Sequence, residues 1–164
     1  MLTPDLHRSL KRRVDALDSL VREVAQGPWW PLRRKPPSFY VSEYVTALLA
    51  ILVTADGEVS VEELGYLRAA HDDTLPWEEE VERSNEIRAR LPTFDRSAPG
   101  FFVAACTHDR AHGTHLADRI LGEVDAICEL MMRADSRVPE RERAAVTAVL
   151  RTLRTTMQMN GDAS

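Results

Sequence analysis

Cysteine is scarce in this chain of 164 residues: only Cys106 and Cys128 are present. Two cysteines close at most one disulfide, and no CxxC pair exists, so neither a disulfide framework nor the common zinc-ribbon spacing is available. Both fall in helical patterns and read as buried thiols of a reducing compartment. Glycine is also sparse, with seven residues that never cluster. That excludes a glycine-rich phosphate cradle. GxGxxG, P-loop and GxSxG motifs and a Cys–His–Asp spacing are all missing, so no familiar catalytic signature is present. Long apolar runs are absent too. The longest, Tyr44–Ala55, is bounded by Glu43 and Asp56 and falls short of the ~20 residues a bilayer requires. Charges at Asp5, Arg8, Lys11, Arg12 and Arg13 argue against an apolar secretory leader. The expected location is cytoplasmic.

Charge is unevenly spread. The net charge is −5. Residues 1–40 hold eight Lys and Arg against four Asp and Glu, a balance of +4; residues 41–164 hold 13 against 22, a balance of −9. An acidic bulk disfavours binding driven by phosphate contacts, so no nucleic-acid partner is expected. The length suits one domain that can bury roughly two thirds of its unfolded surface.

What is present is helical periodicity. Thr3-Pro4 reads as an N-cap followed by proline at the first helical position. Leu6, Leu10, Val14, Leu17, Val21 and Val24 then recur every three or four residues, which predicts an amphipathic helix ending near Gly27. The segment Gly27–Ser38, GPWWPLRRKPPS, holds too much proline for a helix. A second helix over 39–55 is apolar almost all round and belongs at the centre of the core. A third starts at a capping box, Ser60-Val61-Glu62-Glu63, and a fourth at Pro76. A fifth, around Phe101 to Asp109, stops at Gly113. Thr114 is placed to cap a sixth, and a seventh opens at Pro139. The tail from Asn160 is expected to fray. No segment reads as a strand. The expected class is therefore all-α with about seven helices.

Two stretches resemble each other. LLAILVTADGEVSVEELGYLR (48–68) aligns with ICELMMRADSRVPERERAAVT (127–147). Ala55, Asp56, Val59 and Glu63 then meet Ala134, Asp135, Val138 and Glu142. Each copy is an apolar helix, a turn opening with Ala-Asp, a buried valine and a new helix with glutamate in its first turn. Such copies can pack as pseudo-twofold halves. The Ala-Asp-Gly-x-Val-Ser-x-x-Glu signature and its degenerate second copy, where Ser136 and Arg137 replace the glycine and acidic positions, resemble the tellurite-resistance TerB-like family over about residues 39–158. His108 to Thr114 bears a weaker likeness. The resemblance implies an all-helical domain in two pseudo-repeated halves over 39–158; the N-terminal helix and Trp/Pro/Arg loop (1–38) lie outside it, and a tail expected to fray (159–164) follows. It also implies a non-enzymatic binding or scaffold role in a stress-response system.

Three constellations could carry that role. Asp56, Glu63, Asp135 and Glu142 would gather four carboxylates if the two turns lie side by side, and hard oxygen ligands suit Ca²⁺ or Mg²⁺. The same residues equally suit helix capping. An EF-hand is excluded, because the earlier ligand positions fall on Leu52 and Thr54 within a helix. His108, Asp109 and His112 form a polar cluster. The histidines stand four apart, a spacing used for zinc, but no further ligand motif accompanies them, and solvent-facing rings are the plainer reading. Trp29, Trp30, Arg33 and Arg34 offer aromatic and cationic groups to a protein partner, or to an anionic membrane surface at the inner face. The plainer alternative has the indoles folded onto the core while the arginines stay wet.

Overall fold

In the computed structural model, residues 4–31, 33–54, 79, 82, 96–134 and 140–161 are described. They form five helices: α1 (Pro4–Ala25), α2 (Pro37–Thr54), α3 (Gly100–His112), α4 (Leu116–Ala134) and α5 (Glu140–Gly161). No strand occurs among the described residues, so the all-α class holds there. The helix expected at 60–71 lies outside the described residues; of the one expected at 76–91 only Glu79 and Glu82 are described, and both are helical. Asp56 and Asp135 of the two Ala-Asp turns, and with them the pseudo-repeat, also lie outside the described residues.

The helices form where the apolar period is 3.6. In α1, Leu10, Leu17, Leu20, Val21 and Val24 are buried, while Arg8, Lys11 and Arg12 stay exposed on the other face. The stripe seats α1 against α4 in the most extensive helix pairing among the described residues, and also against α2 and α3. From α4, Ile120, Val124 and Ile127 have essentially no exposed surface and complete the seam. Non-directional apolar burial of this kind is the main force holding a helix bundle together. Helix α2 is buried on nearly every side through Val41, Tyr44, Val45, Leu48, Leu49 and Leu52. Its central position is the one expected of a helix without a polar face. Tyr44 meets Phe101 of α3 edge to face, with ring centres 5.3 Å apart. Helix α5 closes the bundle against α3, α4 and α2.

The N-terminal helix thus shares one core with α2 to α5. Between α1 and α2, the described residues 26–31 and 33–36 are non-helical. Helix α2 starts two residues earlier than periodicity suggests, with Pro37 in the first turn, where its missing N–H costs nothing. Helix α5 runs to Gly161 rather than fraying from Asn160. The Asn160 side chain donates to the Thr156 carbonyl at 2.8 Å and holds the last turn.

Ion pairs play a smaller part. Arg13 of α1 reaches Glu123 of α4 at 3.3 Å, and its side chain is 41% exposed. Solvent screens such a pair, so the apolar seam should dominate. Replacing Leu17, which is fully buried, by alanine is expected to lower unfolding free energy by about 2–5 kcal/mol. Arg13→Ala should cost less than about 1 kcal/mol. Urea unfolding of both variants checks the order; a larger loss for Arg13→Ala would overturn it.

Candidate functional site

The corner between α3 and α4 is built around one carboxylate. Gly113 follows α3 with φ +65°, and its N–H donates to the Asp109 carbonyl at 2.7 Å. This left-handed residue turns the chain sharply, a conformation glycine adopts without a Cβ penalty. The turn brings the start of α4 back over Asp109. The Asp109 Oδ1 atom accepts from the Leu116 N–H and Oδ2 from the Ala117 N–H, each at 2.8 Å. It also accepts the Thr114 hydroxyl. Thr114 was expected to cap this helix. The cap is instead the side chain of the preceding helix, reaching across the turn. A carboxylate answers two unpaired N–H groups and faces the positive end of the helix dipole, which a single hydroxyl cannot match.

Thr114 serves a different purpose. Its oxygen lies 3.0 Å from His108 Nδ1. Its one hydrogen is given to Asp109, so the proton of the histidine bond must come from Nδ1–H. In this arrangement His108 donates through Nδ1–H. One turn on, His112 tilts against His108, with ring centres 4.7 Å apart. His112 is exposed and His108 half-buried.

The tryptophan loop meets these histidines. Trp29 stands edge to face with both, its ring centre 6.0 Å from His108 and 5.2 Å from His112. Gly27 allows the approach: a Cβ there would come within 3.2 Å of His108 Cδ2. Two of the sequence-predicted groups, the tryptophan loop and the polar histidine cluster, are therefore parts of one site. The two indoles divide. Trp29 is 36% exposed, whereas Trp30 is 7% exposed and packs against Tyr40. Trp30 is a core residue, which corrects its assignment to an interaction surface. Arg33 and Arg34 are exposed as expected. With Gln26, Trp30 and Lys35, Arg33 lines an open cleft of about 610 Å³ between the end of α1 and the start of α2. Lys35 also lies over the Phe39 ring, 5.4 Å from its centre.

Of the four carboxylates expected to hold a cation, Asp56, Glu63 and Asp135 lie outside the described residues. Glu142 is buried in the first turn of α5. Among the described residues, no group of three or more His, Cys, Asp or Glu side chains is placed to hold a metal ion. Sequence reading missed Asp109 as a helix cap and Gly27 as a contact residue. The cap spans seven residues and depends on the Gly113 turn, so local capping patterns do not reveal it.

Both thiols are free and buried. Burial, reinforced by Asp109, pushes Cys106 up to about 11; burial, reinforced by Asp125, pushes Cys128 up to about 12. Burial thus favours the protonated thiol over the thiolate at both positions.

No family model, no curated protein and no solved structure matches the chain.

Two outcomes test this geometry. Asp109→Ala should lower stability by about 1–3 kcal/mol, because it orphans two helix-start N–H groups and one hydroxyl. Thermal or urea melts read this, and an unchanged midpoint would refute the cap. A soluble disulfide reagent should label neither cysteine in the folded chain at neutral pH and both after denaturation. The folded thiols hold protons more tightly than the unfolded ones. The stability tied to them is intact below the ordinary thiol range and lost as pH rises towards about 11.

Proposed function

We propose that the chain is a non-enzymatic binding module that recognises an acidic segment of a protein partner through Trp29 and the basic loop that follows it. The observation that carries this reading is Trp29 itself. A large indole is left 36% exposed, yet it is braced by two imidazoles rather than free to collapse onto the core. Ordered aromatic side chains with nearby arginines are the usual anchors of protein interfaces, since they contribute contact area with little entropy left to lose. Arg33, Arg34 and Lys35 follow it in the same loop, exposed, and supply charge for an acidic partner. Phe39, at 41% exposure, extends the apolar area within the same segment.

The broader setting follows the sequence resemblance to the TerB-like family: a cytoplasmic scaffold in a tellurite-resistance or stress-response system. Its support is the Ala55-Asp56-Gly57 motif and the related stretch at 134–142, together with the all-helical class. Fold alone does not assign function, so the Trp29 surface bears the weight of the binding role. A cation bound by Asp56, Glu63, Asp135 and Glu142 is the alternative that the same resemblance supports.

The experiment compares variants that keep the core. Arg33→Glu/Arg34→Glu should retain wild-type stability to within about 1 kcal/mol, as surface substitutions do, while Trp29→Ala should stay folded at a cost of about 1–3 kcal/mol for the two ring contacts it loses. Both should lose at least about tenfold in affinity for acidic peptides presented as an array. Trp30→Ala should instead destabilise by about 3–5 kcal/mol. Equal peptide binding by all forms would overturn the proposal. So would preferential binding of wild type to anionic vesicles, which would assign the surface to a membrane.

A further inference from the structure

The paired histidines at the end of α3 have a geometry that recognition by Trp29 does not require. His108 and His112 stand one turn apart, so both rings project from the same helix face. Their centres are 4.7 Å apart and the planes are tilted by 54°. Two imidazoles on one tetrahedral Zn²⁺, with Zn–N bonds of about 2.0–2.1 Å, hold their ring centres roughly 5 Å apart. The observed separation is close to that value.

The surroundings of His108 point the same way. A metal-binding histidine commonly donates its other ring N–H to an oxygen, which fixes the tautomer and raises the basicity of the ligating nitrogen. His108 does this through Nδ1–H to Thr114 Oγ1 at 3.0 Å, and Thr114 passes its own hydrogen to the Asp109 carboxylate. The chain of bonds is anchored, because Asp109 is fixed by the Leu116 and Ala117 N–H groups. In the neutral ring Nε2 is then the acceptor atom. Trp29 stands edge to face with both rings. Gly27, whose missing Cβ leaves room beside the Cδ2 edge of His108, lets the indole sit there.

We infer that His108 and His112 form a two-imidazole site for a divalent transition-metal ion of the zinc, nickel or copper kind, with Trp29 packed against both rings. Imidazole nitrogen selects these ions over Ca²⁺ and Mg²⁺. The site differs in residues, ligand type and metal class from the carboxylate set at the Ala-Asp turns. Two protein ligands leave coordination positions open for water or for a donor group of a bound molecule.

The test is calorimetric titration of the full-length chain with Zn²⁺, in parallel with His112→Ala, His115→Ala and Thr114→Val. Wild type should bind one ion per chain saturably. His112 is exposed, so its alanine variant keeps the fold, and its affinity should fall by about tenfold or more. Thr114→Val removes only the acceptor of the Nδ1 proton and should weaken binding to a smaller extent. His115, beyond the Gly113 turn, should be dispensable. An unaltered Zn²⁺ affinity in His112→Ala, an equal loss in His115→Ala, or no binding at millimolar Zn²⁺ would each overturn the assignment. Failure here leaves the peptide-binding surface standing, because that is read from Arg33→Glu/Arg34→Glu without metal.

Discussion

The carboxylate of Asp109 is the constraint on which the α3–α4 corner depends. It accepts the first two backbone N–H groups of α4 and the Thr114 hydroxyl. A buried or half-buried helix start without such partners is costly, so the bond set fixes where α4 begins. It also takes the one hydrogen Thr114 can give away, so His108 donates to Thr114 through Nδ1–H. A structural cap and a chemical property of a neighbouring ring are consequences of one interaction. The ring in turn supports Trp29, which links the corner to the loop between α1 and α2.

This arrangement joins the parts of the chain with opposite charge. The basic loop belongs to the first forty residues, and α3 to the acidic remainder. Their contact is made by ring-to-ring packing of Trp29 on His108 and His112, while Arg33 and Arg34 are exposed. Coulombic attraction between exposed groups is screened within about 10 Å at moderate salt, whereas aromatic packing is largely indifferent to it. The loop can therefore present cations to an outside partner without spending them on its own scaffold.

How far the sequence disclosed this depended on the range of each signal. The stripe Leu10, Leu17, Val21, Val24 placed α1 correctly because helical burial repeats every 3.6 residues. The apolar surround of α2 likewise located it at the centre. Gly113 was legible as a stop, since few other residues take its left-handed turn cheaply. The division between Trp29 and Trp30 was not legible: a proline-rich loop has no period, so adjacent indoles carry the same local signal although one is core and one surface. The joining of Trp29 to His108 lies some eighty residues apart in sequence and rests on tertiary packing alone. Thr114 was misread for a related reason. As a hydroxyl just before a helix it fits the capping pattern, but a better acceptor arrives from the previous helix.

Gly27 extends the argument to what variation the chain can carry. Its α-carbon lies so near His108 that even one methyl group would press on the ring edge at 3.2 Å and on the Val24 carbonyl at 3.3 Å. Positions 27 and 108 therefore form a size-matched couple. A side chain at position 27 would require the His108 ring edge and the Val24 carbonyl to give by a few tenths of an ångström. Drift at a single loop glycine could separate the indole from the imidazoles while leaving every helix in place, so the recognition surface can evolve, or be lost, independently of the bundle that carries it.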